Sequence, residues 1–137
     1  MILIVCLDDR SGLCFNHRRQ SQDRLLRARV LDQTAGAVLW MNAYSARQFE
    51  PLAPHIRVAE DFLDRAGPGD FCFTETIDPA PWRARLEQVR LYRWNRVYPA
   101  DLRMTLDLSA FRLDRQTDFA GSSHPTITEE IYIPCEN

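Results

Sequence analysis

The amino-acid sequence predicts an α/β domain: a mostly parallel central sheet with crossover helices and an antiparallel strand pair at the C-terminal end. Three observations carry this expectation. Near-continuous apolar runs such as "ILIVCL" and "FCF" mark strands covered on both faces. Short stretches with helical spacing and recognisable caps lie between them. Beyond residue 110 the pattern changes to two extended segments with no helix between them. A chain of 137 residues fits a single such domain, 1–137, with a core of ordinary size. No linker, repeat or low-complexity tract interrupts it.

The elements follow in order. "ILIVCL" stops at Asp8-Asp9, as a central strand does. "SQDRLLRARVLD" is expected as a helix with Ser21 as N-cap and a broad apolar face. "GAVLWMNA" is a second strand, after which Ser45 can cap a short helix "ARQFE". In "AEDFLDRAG", Phe62, Leu63 and Ala66 share a helix face and Gly67 stops it. "DFCFTE" is a third buried strand. "PAPWRARLEQ" has proline where a helix can start and places Trp82 and Leu86 one turn apart. "VRLYRW" is a fourth strand, and "FRLDRQTDFA" and "TEEIYIPC" form the closing pair, with Glu129 and Glu130 ahead of the last strand and one of them facing solvent.

Composition narrows the function classes. The formal charge of −2 provides no global field drawing the protein to nucleic acid or an anionic membrane. All 17 basic residues are arginine, a pattern codon bias accounts for, though it also supplies fork-shaped donors for carboxylate or phosphate. Cys6, Cys14, Cys72 and Cys135 form no CxxC pair and are expected as free, mostly buried thiols. "MILIVCLDD" is too short and too soon charged for a signal peptide, and no apolar run approaches membrane-span length, so the expected location is the cytoplasm.

If the main strands are parallel, Asp8, Asp9, Asn42, Thr74, Glu75, Trp94, Asn95 and Arg96 all follow strand carboxyl ends. Open α/β sheets bind ligands along that edge. Each residue alone is equally an ordinary polar strand terminus. His17, Arg18 and Arg19 belong to the loop beside them. Arg18 and Arg19, with Arg24, Arg27 and Arg29, can meet phosphates, or form a solvated face paired with Asp8, Asp9 and Asp23. No interleaved aromatics provide a stacking platform for single-stranded nucleic acid. Cys14 and His17, three residues apart, are a nucleophile pair only if tertiary geometry joins them. His124 in "SSHPT" is expected as a turn residue whose ring caps a backbone group, and Tyr92 and Trp94 as sheet-packing side chains. Asp23 has two readings. Either it is a dipole partner in the first turn of a helix, or it is a site acid directed between the "ILIVCL" strand and the His17–Arg19 loop.

This order of pieces resembles dihydrofolate reductase over nearly the whole chain. Gly12 precedes Asp23 by eleven residues, similar to the spacing between that family's loop glycine and the helix-borne acid that contacts the pterin. "VRLYRWNRVYPAD" resembles the strand entering the family's "LYLT-I" segment, and "TDFAGSSHPTITEEIYI" its closing hairpin. The resemblance implies a substrate loop, a helix-borne catalytic acid at Asp23 and a nicotinamide site. The cofactor half departs from the pattern. Met41-Asn42-Ala43-Tyr44 stands where the family has Gly-Arg-x-Thr, and Thr74-Glu75 where it has Gly-Gly. Side-chain bulk and negative charge at Glu75 oppose a pyrophosphate, so no NADPH and no other cofactor is expected.

The chain is also similar to a small set of bacterial proteins of uncharacterised function sharing stretches like "NHRRQSQD", "WNR-YPAD" and "GSSH--IT-E-Y". Such proteins sometimes carry a ribonuclease Z label. That enzyme needs an HxHxDH-type cluster for two zinc ions, whereas His17, His55 and His124 stand far apart, so no metal is expected.

The expected function is binding, with or without turnover, of a small planar or anionic metabolite at the strand carboxyl edge. One alternative is an interaction module whose arginines meet RNA or an acidic protein. Another is hydrolysis by Asp8, Asp9, Asp23 and Glu75 around a divalent metal. A homo-oligomer is compatible with all three.

Overall fold

The computed structural model describes residues 1–135. The strands are β1 (Ile2–Leu7), β2 (Gly12–Phe15), β3 (Arg18–Arg19), β4 (Leu39–Met41), β5 (Ile56–Val58), β6 (Phe71–Thr74), β7 (Gln88–Arg93), β8 (Leu102–Arg103), β9 (Phe111–Phe119) and β10 (Ile127–Pro134). The helices are α1 (Arg24–Thr34), α2 (Ala43–Ala46) and α3 (Phe62–Arg65), joined by 3-10 turns at Arg47–Phe49, Ala80–Arg85 and Leu108–Ala110. A seven-stranded sheet runs in the order β5-β4-β6-β1-β7-β10-β9. Its first five strands are mutually parallel, and β10 and β9 close it antiparallel. The expected architecture is therefore the observed one.

β1 is central because both of its faces are apolar. Leu3, Val5 and Leu7 enter the core under α3 and the Ala80–Arg85 turn, while Ile4 and Cys6 enter the core under α1 and the Arg47–Phe49 turn. α1 buries Leu26, Val30 and Thr34, a stripe one turn apart that is narrower than the broad face expected. No helix among the described residues is long and apolar enough to cross a membrane.

Several local expectations are corrected. α1 starts two residues later than expected, because Asp23 and not Ser21 is its N-cap. α2 is capped by the Asn42 side chain, which accepts from the Ser45 N–H, so Ser45 lies inside that helix and not before it. "PAPWRARLEQ" forms only a 3-10 turn. Glu129 and Glu130 lie within β10. Glu129 is buried against Arg29, Gln33 and Tyr92, and Glu130 pairs with Arg93. The segment after β1 is not a free loop: β3, β2 and β8 form a small antiparallel sheet over the carboxyl edge of β1. Asn16 and His17 make its hairpin turn with φ of 51° and 60°.

Candidate functional site

Asp8 anchors this small sheet. Its Oδ1 accepts from the N–H groups of Arg10 (2.9 Å) and Gly12 (2.8 Å), and its Oδ2 from Tyr98 N–H (3.0 Å) and Gln20 Nε2 (3.2 Å). Burial alone would raise its pKa. The donors of Tyr98, Gly12, Arg10 and Gln20 outweigh that and hold it below the ordinary carboxylate value. The knot needs glycine at position 12, since a Cβ there would lie 2.9 Å from Asp8 Oδ1 and 2.8 Å from the Ala100 side chain.

Beyond the knot, a narrow cleft opens at the sheet's carboxyl edge. Cys6, Phe73 and Trp94 form its floor, Leu26 and Val30 of α1 one wall, and Gln48 and Phe49 the other. The space left between them is about 10 Å³, room for about one water molecule. The Gln48 Nε2 amide is buried there without a hydrogen-bond partner.

Asp23 and Glu75 close the two polar ends of the cleft. Asp23 Oδ1 accepts from the N–H groups of Leu25 (3.0 Å), Leu26 (3.1 Å) and Ser122 (3.0 Å). Its Oδ2 accepts from Ser123 N–H (2.9 Å), Ser123 Oγ (3.1 Å) and His124 Nδ1 (3.1 Å). Burial would raise this pKa, but the Ser122 and Ser123 N–H groups, the His124 ring and the Leu26 N–H hold it far below the carboxylate range. Asp23 is thus an ionised cap that also clamps α1 to the 121–124 turn. The expected direction, towards the His17–Arg19 loop, is corrected.

At the other end, Arg19 grips Glu75 through Nε (3.0 Å) and Nη2 (3.3 Å), and Ser45 Oγ donates to Glu75 at 2.8 Å. The guanidinium lies 4.3 Å over the Tyr44 ring, and the Arg19 N–H donates to the Tyr44 hydroxyl at 2.9 Å. This pair bolts β3 to the end of β6.

No protein-family model and no curated protein matches the chain. Among solved structures, the dihydrofolate reductase of Enterococcus faecalis, complexed with NADP(H) and RAB-propyl, superposes with a TM-score of 0.73. The match covers 98% of this chain and 96% of that one at 9% sequence identity. The fold is that of dihydrofolate reductase. At this identity the likeness is one of architecture. The ribonuclease Z label finds no support: among the described residues no group of three His, Cys, Asp or Glu side chains could hold a metal ion.

On the dihydrofolate reductase fold, the residues singled out in the sequence divide clearly. Asp23 and Glu75 line the cleft, and Arg19 lines the hollow beside it that shares Cys6, Ser21, Glu75 and Trp94. Asp8 holds the knot, Asn42 caps α2, and Thr74 Oγ1 donates to the Ile77 carbonyl at 2.7 Å. Asn95, at φ 60°, donates to the Thr126 carbonyl and Thr128 Oγ1. Asp9, His17, Arg18 and Arg96 are exposed. The carboxylates proposed around a metal, Asp8, Asp9, Asp23 and Glu75, therefore do not converge. Of the five arginines, Arg19 pairs with Glu75 and Arg29 with Glu129, and among the described residues none pairs with the aspartates expected. Cys14 is buried, burial pushes its thiol up, and His17 is exposed in the hairpin turn.

His124 is the residue the sequence conceals. Its ring is buried and stacked on Trp94, with centroids 4.5 Å apart, instead of capping a turn. Its Nε2 lies 2.9 Å from the Tyr98 hydroxyl and 3.2 Å from Ser21 Oγ. Ser21, Gln48, Tyr98 and His124 come from four separate segments, and only the fold joins them.

Proposed function

We propose that this protein binds a small planar metabolite carrying a hydrogen-bond acceptor in the cleft between α1 and the Arg47–Phe49 turn, without a nicotinamide cofactor. The carrying observation is the unpartnered Gln48 Nε2 amide in a cleft whose other walls are mostly apolar. A buried donor left unpaired costs about 1–3 kcal/mol, which an acceptor on a ligand recovers. A flat ring lies between Leu26 and Phe49 over Cys6 and Phe73 once the cleft, which at rest has room for about one water molecule, widens. It gains admission when Gln48 and the buried Phe49, which meets Phe73 edge-on at 5.6 Å, move outward on the 3-10 turn that continues α2. Such a widening is a side-chain movement of the kind ligands commonly induce.

The absence of a nicotinamide role rests on the β6 end. The solved relative in fold is complexed with NADP(H). The resemblance places a glycine pair there, so that backbone can approach pyrophosphate. Here Thr74 is fully buried and Glu75 is tied to Arg19 and Ser45. A diphosphate at that position meets a carboxylate, and displacing Arg19 leaves that carboxylate buried and unpaired. The residues present do not fit the group.

A thermal-shift screen of planar metabolites against wild type and Gln48→Leu tests the proposal. A ligand at a hundred times its Kd stabilises wild type by about 2.7 kcal/mol, several degrees in Tm. Gln48→Leu should lose about tenfold in affinity, the worth of one hydrogen bond to a neutral acceptor. A stabilising ligand whose shift is unchanged in Gln48→Leu contradicts the assigned site.

A further inference from the structure

Ser21, His124 and Asp23 form an array of which the clamp on α1 uses only the Asp23–His124 contact. An aspartate oxygen can only accept, so the 3.1 Å contact from Asp23 Oδ2 places a proton on His124 Nδ1. In the neutral ring Nε2 is then the acceptor, and the hydroxyl of Ser21 stands 3.2 Å from it. The order is nucleophile, base, buried carboxylate, the arrangement by which a serine is activated for acyl transfer. The carboxylate is fixed by five further contacts, and the imidazole by its stack on Trp94, so the base is held in one orientation and one tautomer. Ser21 is only half-buried and lines the cleft. The unpaired amide of Gln48 lines the same cleft as Ser21, so the cleft holds a donor for a developing oxyanion.

We infer that this protein is a serine acyl hydrolase acting on small esters with a planar or apolar acyl group, with Ser21 as nucleophile, His124 as general base and Asp23 as positioning residue. The inference rests on the same cleft as the binding proposal, which would hold the acyl group. Ser21 Oγ attacks the ester carbonyl carbon while its proton passes to His124 Nε2. The tetrahedral oxyanion accepts from Gln48 Nε2. The bond from carbon to the alcohol oxygen then breaks, and that oxygen leaves with the proton from Nε2. Water repeats the attack on the acyl-serine through the same base, regenerating Ser21 and releasing the acid, so ester and water become acid and alcohol. The Tyr98 hydroxyl, 2.9 Å from Nε2, competes with Ser21 for the lone pair and restrains the array at rest.

The test uses the full chain, a fluorophosphonate probe with peptide mapping, and p-nitrophenyl butyrate hydrolysis. Wild type is expected to carry one phosphonyl adduct, on Ser21, and to release p-nitrophenol with a burst. Ser21→Ala removes only one side-chain hydrogen bond, should stay folded with a Tm within a few degrees of wild type, and should lose both signals. Tyr98→Phe frees Nε2 for Ser21 and should label at least as fast as wild type. Native protein without an adduct on Ser21, hydrolysis unchanged in folded Ser21→Ala, or Tyr98→Phe labelling about tenfold slower or worse overturns the assignment. A metabolite that stabilises wild type and Ser21→Ala alike, with no adduct, defeats this inference and leaves the binding proposal standing. An adduct on Ser21 without any stabilising metabolite does the reverse.

Discussion

Replacing Asp23 with asparagine isolates the clamp on which the cleft is built. The carboxylate accepts three hydrogen bonds on each oxygen, and asparagine keeps one oxygen while turning an N–H pair towards donors on the other side. Hydrogen bonds to a buried charge contribute about 1.5–3 kcal/mol each. Of the three lost at Oδ2, the Ser123 hydroxyl can rotate away and His124 can change tautomer, which leaves a net loss of about 3 kcal/mol. Loss of a helix-dipole partner alone would cost about 0.3–1 kcal/mol, so the excess measures the bond between α1 and the 121–124 turn. The pH dependence has a defined sign. The folded pKa lies far below the unfolded value of about 3.9, so the stabilisation is complete above about pH 5 and drains away progressively as pH falls below that, through the unfolded value towards the folded one. Urea denaturation of wild type and Asp23→Asn at pH 7 and pH 3 checks both points. The gap should be about 3 kcal/mol at pH 7 and clearly smaller at pH 3. A variant within about 0.5 kcal/mol of wild type at pH 7, or a gap that does not change with pH, refutes the clamp.

Other outcomes follow from the same contacts. Gly121→Ala places a Cβ against Asp23 Oδ2 and the His124 carbonyl, so it should cost about 1–3 kcal/mol in a denaturant titration. A double-mutant cycle on Arg19→Met and Glu75→Gln should give a coupling of about 1–3 kcal/mol, because the pair is mostly buried and bidentate. A thiol-reactive dye should label Cys135 quickly in native protein and Cys6, Cys14 and Cys72 only after unfolding, since these three are buried with thiols pushed up, Cys72 to about 12. NADPH fluorescence should show no saturable micromolar binding, and Glu75→Gly alone should not create it, because the Gly-Arg-x-Thr position is also altered.

The sheet was legible because its strands speak in long apolar runs. Nothing but a doubly covered strand suits "ILIVCL", and the closing hairpin shows itself by two extended segments without a helix between them. The small sheet was not legible, because two- to four-residue strands have no periodicity and the hairpin turn uses a histidine at positive φ. Ser21 and Asp23 are both good caps by type. Aspartate takes the role through donors at Ser122, Ser123 and His124, about 100 positions away in sequence. The strand-end carboxylates were rightly placed along one edge, yet local sequence could not say that Asp8 is enclosed by its own neighbours or that Glu75 meets Arg19. Gln48, read only as part of a short helix, and His124, read only as a turn residue, carried no signal beyond being polar.

The cleft is tested most directly by a 1H–15N NMR titration of labelled protein with the strongest stabilising metabolite from the screen. The chain has three tryptophan indoles, at Trp40, Trp82 and Trp94, and only the last lines the cleft. The expected result is a saturating shift of the Trp94 indole and the Gln48 side-chain amide, with Trp40 and Trp82 unmoved. A screen without any stabilising ligand, or shifts centred on the Trp82 indole, which donates to Asp64 in the groove beside α3, contradicts the placement of the site.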